Sequence, residues 1–415
     1  MQAVVAVAAI VVLFGVQVWA AGDSVRRGPT ALHAVLMFGT GILQSAALHA
    51  LHRALRARGV RIAGPLVAAG IVALLLLCAV CADTDVDASA YVGYAKLDTF
   101  HQAYRPPPVT FAGNGFEVIT TNWPRLVPLV YGPLWLLEDR LVVGHAPTFA
   151  VALGILRAIN AVFLIGLLFA LRRLGFDRAT IAVVALNPML YFYFIVQAHN
   201  DLAPILLVVT GMAVAKRRPL LGALIAGAAG FVKIAFVAIA VLAYAGRRAP
   251  RTVLAYLALS LAATIAVSAL FGGSDYLRAM AQVGHEQVAA RVDALHLLTG
   301  VLHTAVAAIA AGALLLAIAR ARFIAPAAYS FSAISTIVYP WYLGWCIPYA
   351  LRVPAFAATF FIVLPAVAHV IDPHFTLYQT HTFAVLGPYY IAVVALVARA
   401  VMLGRGRGVA TPPPP

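Results

Sequence analysis

Apolar runs alternate with short polar clusters along almost the whole chain, and the run lengths predict the architecture. Runs of roughly 17–25 residues read as bilayer-spanning helices. They fall at about 3–21, 31–51, 63–82, 148–171, 179–197, 202–215, 252–271, 297–319, 323–338, 354–371 and 383–402, with a short span at 343–351. The run 220–245 differs, because it is apolar except for Lys233 and basic at both flanks, with Lys216-Arg217-Arg218 before it and Arg247, Arg248 and Arg251 after it. If both flanks face the cytoplasm, this run enters and returns as two half-length helices, turning near Gly227 and Gly230. Such a re-entrant hairpin is tolerated only where it is buried in protein or lines a cavity. The competing reading is one helix with a mid-membrane lysine. It places three arginines outside and inverts the spans that follow. The pattern thus predicts an all-α polytopic membrane protein, a single transmembrane domain over 1–410 with about 12 crossings plus the hairpin at 220–245, and a disordered proline tail at 411–415.

Charge orients these spans. The loop His52–Arg61 carries four arginines and is expected in the cytoplasm. The N- and C-termini then face the cytoplasm, and the segment 83–146 becomes a large extracytoplasmic loop. Pro124, Pro128 and Pro133 break its apolar part, which is expected to lie in the interface as short helices, with Trp123, Tyr131 and Trp135 at headgroup level. Of the fourteen acidic residues only Asp177 falls inside, so the outer face is the one suited to polar chemistry.

Composition narrows the function. The chain has 415 residues, 63% of them hydrophobic, with a mean hydropathy of +0.95, which excludes an ordinary soluble domain. The net charge of +15 sits in clusters between apolar runs, so it reads as orientation in a membrane and not as nucleic-acid binding. Three cysteines exclude a disulfide framework, and Cys78 and Cys81, inside an apolar run, read as packing thiols. Residues 1–21 lack a basic leading region and read as a first span, not a cleaved signal. No phosphate-binding Gly-x-x-x-x-Gly-Lys loop and no His-Glu-x-x-His pair is present, so ATP-driven and zinc-protease readings have no support.

A few polar residues stand out against this background. Asp83, Asp85 and Asp87 gather at one membrane exit, and Asp87 or Asp85 suits a general base whose proton affinity is raised by like charge. A solvated acidic loop is the bland alternative. His199-Asn200-Asp201 follows a segment broken at Pro188; a helix cap would account for Asn200 or Asp201 but not for His199. Lys233 and Arg157 are cations within membrane-embedded segments, where such residues face cavities or snorkel to a headgroup. Tyr339-Pro340-Trp341-Tyr342 reads as an interfacial anchor or as a ledge for a sugar ring or an isoprenoid.

Taken in order, these pieces resemble the GT-C superfamily of membrane glycosyltransferases. The chain is most similar to bacterial mannosyltransferases of the actinobacterial α-1,6-mannan type that use polyprenyl-phosphate mannose. The matching features are Asp87 and Tyr91 in D-x-x-x-Y spacing, Tyr131-Gly132-Pro133, Asn187-Pro188 leading to His199-Asn200-Asp201, Gly230-Phe231-Val232-Lys233, and Pro340-Trp341-Tyr342. Where the family's outer loop more often carries Asn-Pro-Tyr, this chain has Ala103-Tyr104-Arg105-Pro106. The resemblance implies a GT-C-like bundle in the plasma membrane with an extracytoplasmic active site. It implies an inverting transfer of a sugar, mannose first, from a polyprenyl-phosphate donor to a glycan or glycolipid acceptor. Asp87 would be the base, with Asp85 second; Lys233, Arg157 and His199 would steady the departing phosphate. Tyr91, Asn200, Asp201, Tyr339, Trp341 and Tyr342 would bind sugar or lipid. No cofactor and no protein metal site are expected, with a divalent metal left open. A flippase of a lipid-linked sugar and an arabinosyltransferase are the rival expectations.

Overall fold

The computed structural model describes residues 1–28, 30–58, 63–81, 86–245, 250–289, 340–352 and 354–370. Among them there is no strand. The helices are α1 (Gln2–Arg27), α2 (Ala31–Arg58), α3 (Ala63–Val80), α4 (Val86–Ala95), α5 (Phe100–Tyr104), α6 (Glu117–Asn122), α7 (Pro133–Val142), α8 (Phe149–Leu174) and α9 (Arg178–Ala185). A π-helix follows at Leu190–Val196, then α10 (Leu202–Val214), α11 (Pro219–Gly227), a 3-10 turn at Ala228–Phe231, α12 (Ala235–Ala245) and α13 (Pro250–Ala289). After these come a 3-10 run at Pro340–Cys346, α14 (Ile347–Ala350) and α15 (Pro354–Val370).

Local sequence accounts for many of the boundaries. Thr148 caps α8 by accepting from the Val151 amide, and Gly175 ends it in the left-handed conformation at φ 86°. Arg172 and Arg173 in its last turn offset the partial negative charge of the helix end. Asp177 caps α9 through the Thr180 amide and also pairs with Arg56 of α2 at 2.9 Å, so the lone acid among the basic clusters is held by one of them. Pro133 occupies the first turn of α7, where its missing N–H costs nothing.

Among the described residues, four helices are long and apolar enough to cross a membrane, or five if the pair Arg178–Ala185 and Leu190–Val196, bent by 49°, is one span. Val12, Leu43, Leu76 and Phe169 are exposed on the outside of the bundle, as lipid-facing side chains would be. The expected crossings at 297–319, 323–338 and 383–402 lie outside the described residues, so the count of about 12 is not reached among those described. One expected span is different in kind. The segment 343–351 is the end of a 3-10 run continued by the four residues of α14, about 14 Å long and buried in the bundle core, too short for a hydrocarbon layer of about 30 Å.

Two cores stack along the bundle. The larger joins α1, α2, α3, α9, the π-helix, α10 and α15 around Phe14, Tyr191, Phe192, Tyr193, Phe194 and Phe361. The smaller lies under the loop layer α4–α7 and holds Tyr91, Tyr94, Tyr104, Trp135 and Tyr276. Trp135 is therefore inside the protein, not an anchor at its surface, and Tyr131 packs against the same cluster. The loop is apolar because it builds its own core.

Proline chemistry joins the distant end of the chain to the middle. Pro365 inside α15 removes the amide that would bond the Phe361 carbonyl four residues earlier. Asn187 Nδ2 donates to that carbonyl at 2.6 Å, while its Oδ1 accepts from the Met189 amide at 3.1 Å. One side chain thus satisfies breaks in two helices.

Helices α10 and α11 touch backbone to backbone. A Cβ on Gly211 would stand 2.6 Å from the Gly222 carbonyl oxygen, and one on Gly222 would stand 2.5 Å from that of Gly211. Ser260 lies against Gly227 and Thr264 against Gly230, so α13 runs in the direction of α11. Helix α12, which joins them, runs back, and Val237 lies against Gly230 across the turn. The chain reverses around Lys233.

Two predictions follow from these contacts. Asn187→Ala leaves the Phe361 carbonyl buried without a donor and should cost about 1–3 kcal/mol, read as a lowered thermal unfolding midpoint of the detergent-solubilised protein. In the loop layer, burial pushes the Glu138 carboxyl up to about 7, and burial followed by the charge of Glu138 holds Asp139 well above the usual carboxylate range. Folding therefore favours the protonated acids, and their contribution falls as pH rises from the unfolded carboxylate range through about 7. The midpoint should drop from pH 5 to pH 8, and Glu138→Gln with Asp139→Asn should flatten that slope; an unchanged slope refutes the assignment.

Candidate active site

The first component is a strained turn. The π-helix Leu190–Val196 ends at Gln197, and Ala198 then adopts φ 58°, a left-handed conformation that a residue with a Cβ takes at a cost of about 1–2 kcal/mol. This turn delivers His199, Asn200 and Asp201 inward, with relative exposures of 0%, 5% and 0%. Asp201 stands at the N-cap position of α10 but makes no capping bond. Its Oδ1 accepts from Lys233 Nζ at 2.7 Å and from Trp345 Nε1 at 2.6 Å. The capping explanation for Asp201 is thereby excluded.

Lys233 is the second component. At the reversal between α11 and α12 its ammonium is surrounded by the rings of Trp345, Tyr131 and Tyr342, at 5.0, 5.1 and 5.4 Å from their centroids. An ammonium stripped of water is held there by the Asp201 charge and by ring faces. Tyr131 arrives from the loop layer. The Gly132 amide donates to the Val232 carbonyl at 2.8 Å, and a Cβ on Gly132 would meet the Phe231 carbonyl oxygen at 2.2 Å, so only glycine fits. The Tyr-Gly-Pro and Gly-Phe-Val-Lys motifs are thus two halves of one joint.

The third component is the carboxylate of Asp87, in the first turn of α4. Its Oδ2 lies 3.8 Å from His199 Nδ1, and the His199 ring stacks on Trp341 at 3.6 Å between centroids. Tyr91, one turn along α4, shares a hydrogen bond of 3.1 Å with the Tyr131 hydroxyl. Burial first, then for Tyr91 the neighbouring Tyr131, Asp87 and Asp201, and for Tyr131 the charges of Asp87 and Asp201, hold both phenols well above their usual range. Both therefore remain hydrogen-bond donors, set between two carboxylates.

The structure brings together Asp87, His199, Asn200, Asp201, Lys233, Tyr91, Trp341 and Tyr342. Asp85 and Tyr339 lie outside the described residues. Arg157, expected as a phosphate ligand, makes two backbone hydrogen bonds. Its Nε donates to the Val196 carbonyl and one terminal nitrogen to the Cys81 carbonyl, each at 3.0 Å. It ties the end of the π-helix to the end of α3, and so holds the chain entering Asp87 beside the turn that carries His199. Tyr131 and Trp345 were not among the expected site residues. In the sequence Tyr131 reads as a surface anchor and as part of the Tyr131-Gly132-Pro133 motif, without a role in the site, and the one hint for Trp345 is its position four residues after Trp341. The side-chain amide of Asn200 is buried with no hydrogen-bond partner among the described residues, which marks it as awaiting a polar ligand. Among the described residues no three His, Cys, Asp or Glu side chains group as a metal site.

Residues 3–248 match the family model described as alpha-(1->6)-mannopyranosyltransferase, N-terminal domain, which is more than half of the chain. The chain belongs to this family. No curated protein matches it and no solved structure matches it. As a member of the mannopyranosyltransferase family it is a membrane glycosyltransferase, and the matched stretch contains Asp87, Arg157, His199, Asn200, Asp201 and Lys233. Trp341 and Trp345, the tryptophans of the candidate site, lie beyond that stretch.

The buried pair at its centre makes a measurable prediction. Lys233→Met or Asp201→Leu alone strands a charge and should cost about 3–5 kcal/mol, whereas the double variant should recover much of that stability. Additive losses in thermal unfolding would rule out the coupling.

Proposed function

We propose that this mannosyltransferase transfers mannose from a polyprenyl-phosphate donor to a glycan or glycolipid acceptor at the outer face of the plasma membrane, by an inverting displacement with Asp87 as general base. The observation that carries the reading is the convergence of a carboxylate and a buried cation. Asp87 reaches His199 at 3.8 Å, and two residues along the same turn Asp201 holds Lys233 at 2.7 Å. In the proposed step, the acceptor hydroxyl attacks the anomeric carbon and gives its proton to Asp87, while the bond from that carbon to the phosphate oxygen breaks. Phosphate is already a good leaving group, so the step needs a base and a cation but no acid for the departing oxygen, unlike glycoside hydrolysis. Lys233 and His199 would steady the charge that develops on the phosphate. The Asn200 amide and the Tyr91 and Tyr131 hydroxyls would hold sugar hydroxyls; Trp341 and Tyr342 would offer flat faces to the sugar or isoprenoid. Arg157 acts through position. Asp85 stands second as the base.

Membrane placement belongs to the same reading. Helices α11 and α12, of 9 and 11 residues, reach about 14 and 16 Å, each half of a hydrocarbon layer of about 30 Å. Set in a bilayer they form a re-entrant hairpin with Lys233 at its tip, opening away from the arginine-rich loop 52–61. Nucleotide sugars do not reach that face, so the donor is lipid-linked. The family forms an α linkage, so inversion requires the donor to be the β anomer. The flippase alternative gains nothing from the family, and mannose is favoured over arabinose on the same ground.

The test is transfer from a synthetic β-mannosyl polyprenyl phosphate to a short mannoside by the purified protein. Asp87→Asn should lower the rate by about 10²–10⁴-fold while donor binding persists. Wild-type activity with a nucleotide sugar alone, or an active Asp87→Asn variant, would overturn the reading.

A further inference from the structure

Behind the candidate active site lies a second cavity, of about 580 Å³, rimmed by Arg105, Arg125 and Arg278. Its acid, Asp275, is buried and already occupied by His101 Nε2 and by Arg278, each at 2.8 Å. Arg105 and Arg125 have no carboxylate partner among the described residues. Two residues link this cavity to the Lys233 cage: Tyr104, which lines the cavity, donates its hydroxyl to the Tyr131 carbonyl at 3.2 Å, and the Tyr131 ring covers Lys233.

The two unpaired arginines are held in register by the backbone. The Leu129 amide donates to the Ala103 carbonyl at 2.9 Å, which ties the segment leading to Arg105 to the segment following Arg125. Pro106 and Pro128 restrict φ on both segments. Guanidinium groups gathered around a concave site select phosphate esters, whose oxygens accept paired N–H donors. Arg278 lies near the end of the apolar stretch Ala258–Ala279, just past the break in α13 at Gly273 (φ 59°), with Leu270, Phe271 and Leu277 exposed nearby. In the membrane placement above, that end falls where lipid headgroups sit.

We propose that this cavity binds the phosphate ester headgroup of a membrane lipid, at a site separate from the one that receives the donor phosphate. The proposal uses the membrane placement above but not the identity of the sugar or of the donor. Two sources share this chemistry: a bulk anionic phospholipid, and a phospholipid that carries the acceptor glycan.

The experiment uses the full-length protein in neutral detergent, titrated with short-chain phosphatidylglycerol and with neutral diacylglycerol of the same chain length, and read by thermal midpoint. Phosphatidylglycerol should stabilise the wild type, and the Arg105→Gln, Arg125→Gln double variant, which alters exposed side chains, should bind it about tenfold more weakly. Stabilisation by farnesyl phosphate through the donor site should persist in the same double variant. A mannosylated phospholipid that binds more tightly than phosphatidylglycerol assigns the site to the acceptor, and equal binding assigns it to bulk lipid; either upholds a headgroup site. Equal binding of diacylglycerol, unchanged affinity for phosphatidylglycerol in the double variant, or parallel loss of farnesyl phosphate stabilisation in that variant overturns it. No arm depends on mannosyl transfer, so failure here is separable from failure of the proposed reaction.

Discussion

The architecture depends on the ion pair between Lys233 and Asp201. Two opposite charges are removed from water, and neither is tolerable alone. Their proximity demands that the tip of the α11–α12 reversal, the entry to α10 and the aromatic 3-10 run all meet at one point. Three stretches far apart in the chain are thereby fixed relative to one another by a single electrostatic requirement. The aromatic rings add weak attraction to the ammonium and, more importantly, exclude the water that would dilute the attraction to Asp201.

Around that pair the protein is organised in two layers that meet through main chain. The loop layer has its own core and contributes Asp87, Tyr91 and Tyr131; the bundle contributes His199, Asn200, Asp201 and Lys233. Arg157 holds the junction on one side by binding two carbonyls, and Gly132 closes it on the other. The strain at Ala198 is retained between them because both neighbouring segments are pinned.

Much of this was legible in the sequence, for physical reasons that also explain what was not. Helix existence followed from apolar run length, and the runs near 31, 63, 149, 202 and 354 begin where the helices do. Lys233 stood out because an isolated cation in an apolar run has few tolerable explanations. The Asp87–His199 and Lys233–Asp201 contacts could be expected only from the resemblance, since no local pattern encodes a contact between residues so distant. The inward turn of Trp135 was hidden because an aromatic residue beside a proline-broken run looks the same whether it faces lipid or a small private core. The carbonyl contacts of Arg157 had no sequence signal, because a partly buried arginine facing carbonyls and one facing a phosphate have the same sequence neighbours. The π-helix had no signal of its own beyond Asn187-Pro188 before it.

The hydrogen bond from Gly132 to Val232 is made entirely by peptide groups. It therefore reads shape and not identity: the side chains at 231 and 232 can drift over evolutionary time without loosening the joint, provided that position 132 keeps nothing beyond a hydrogen. Such a hinge-free seam lets the loop layer change its side chains while the Lys233–Asp201 pair beneath it stays in register.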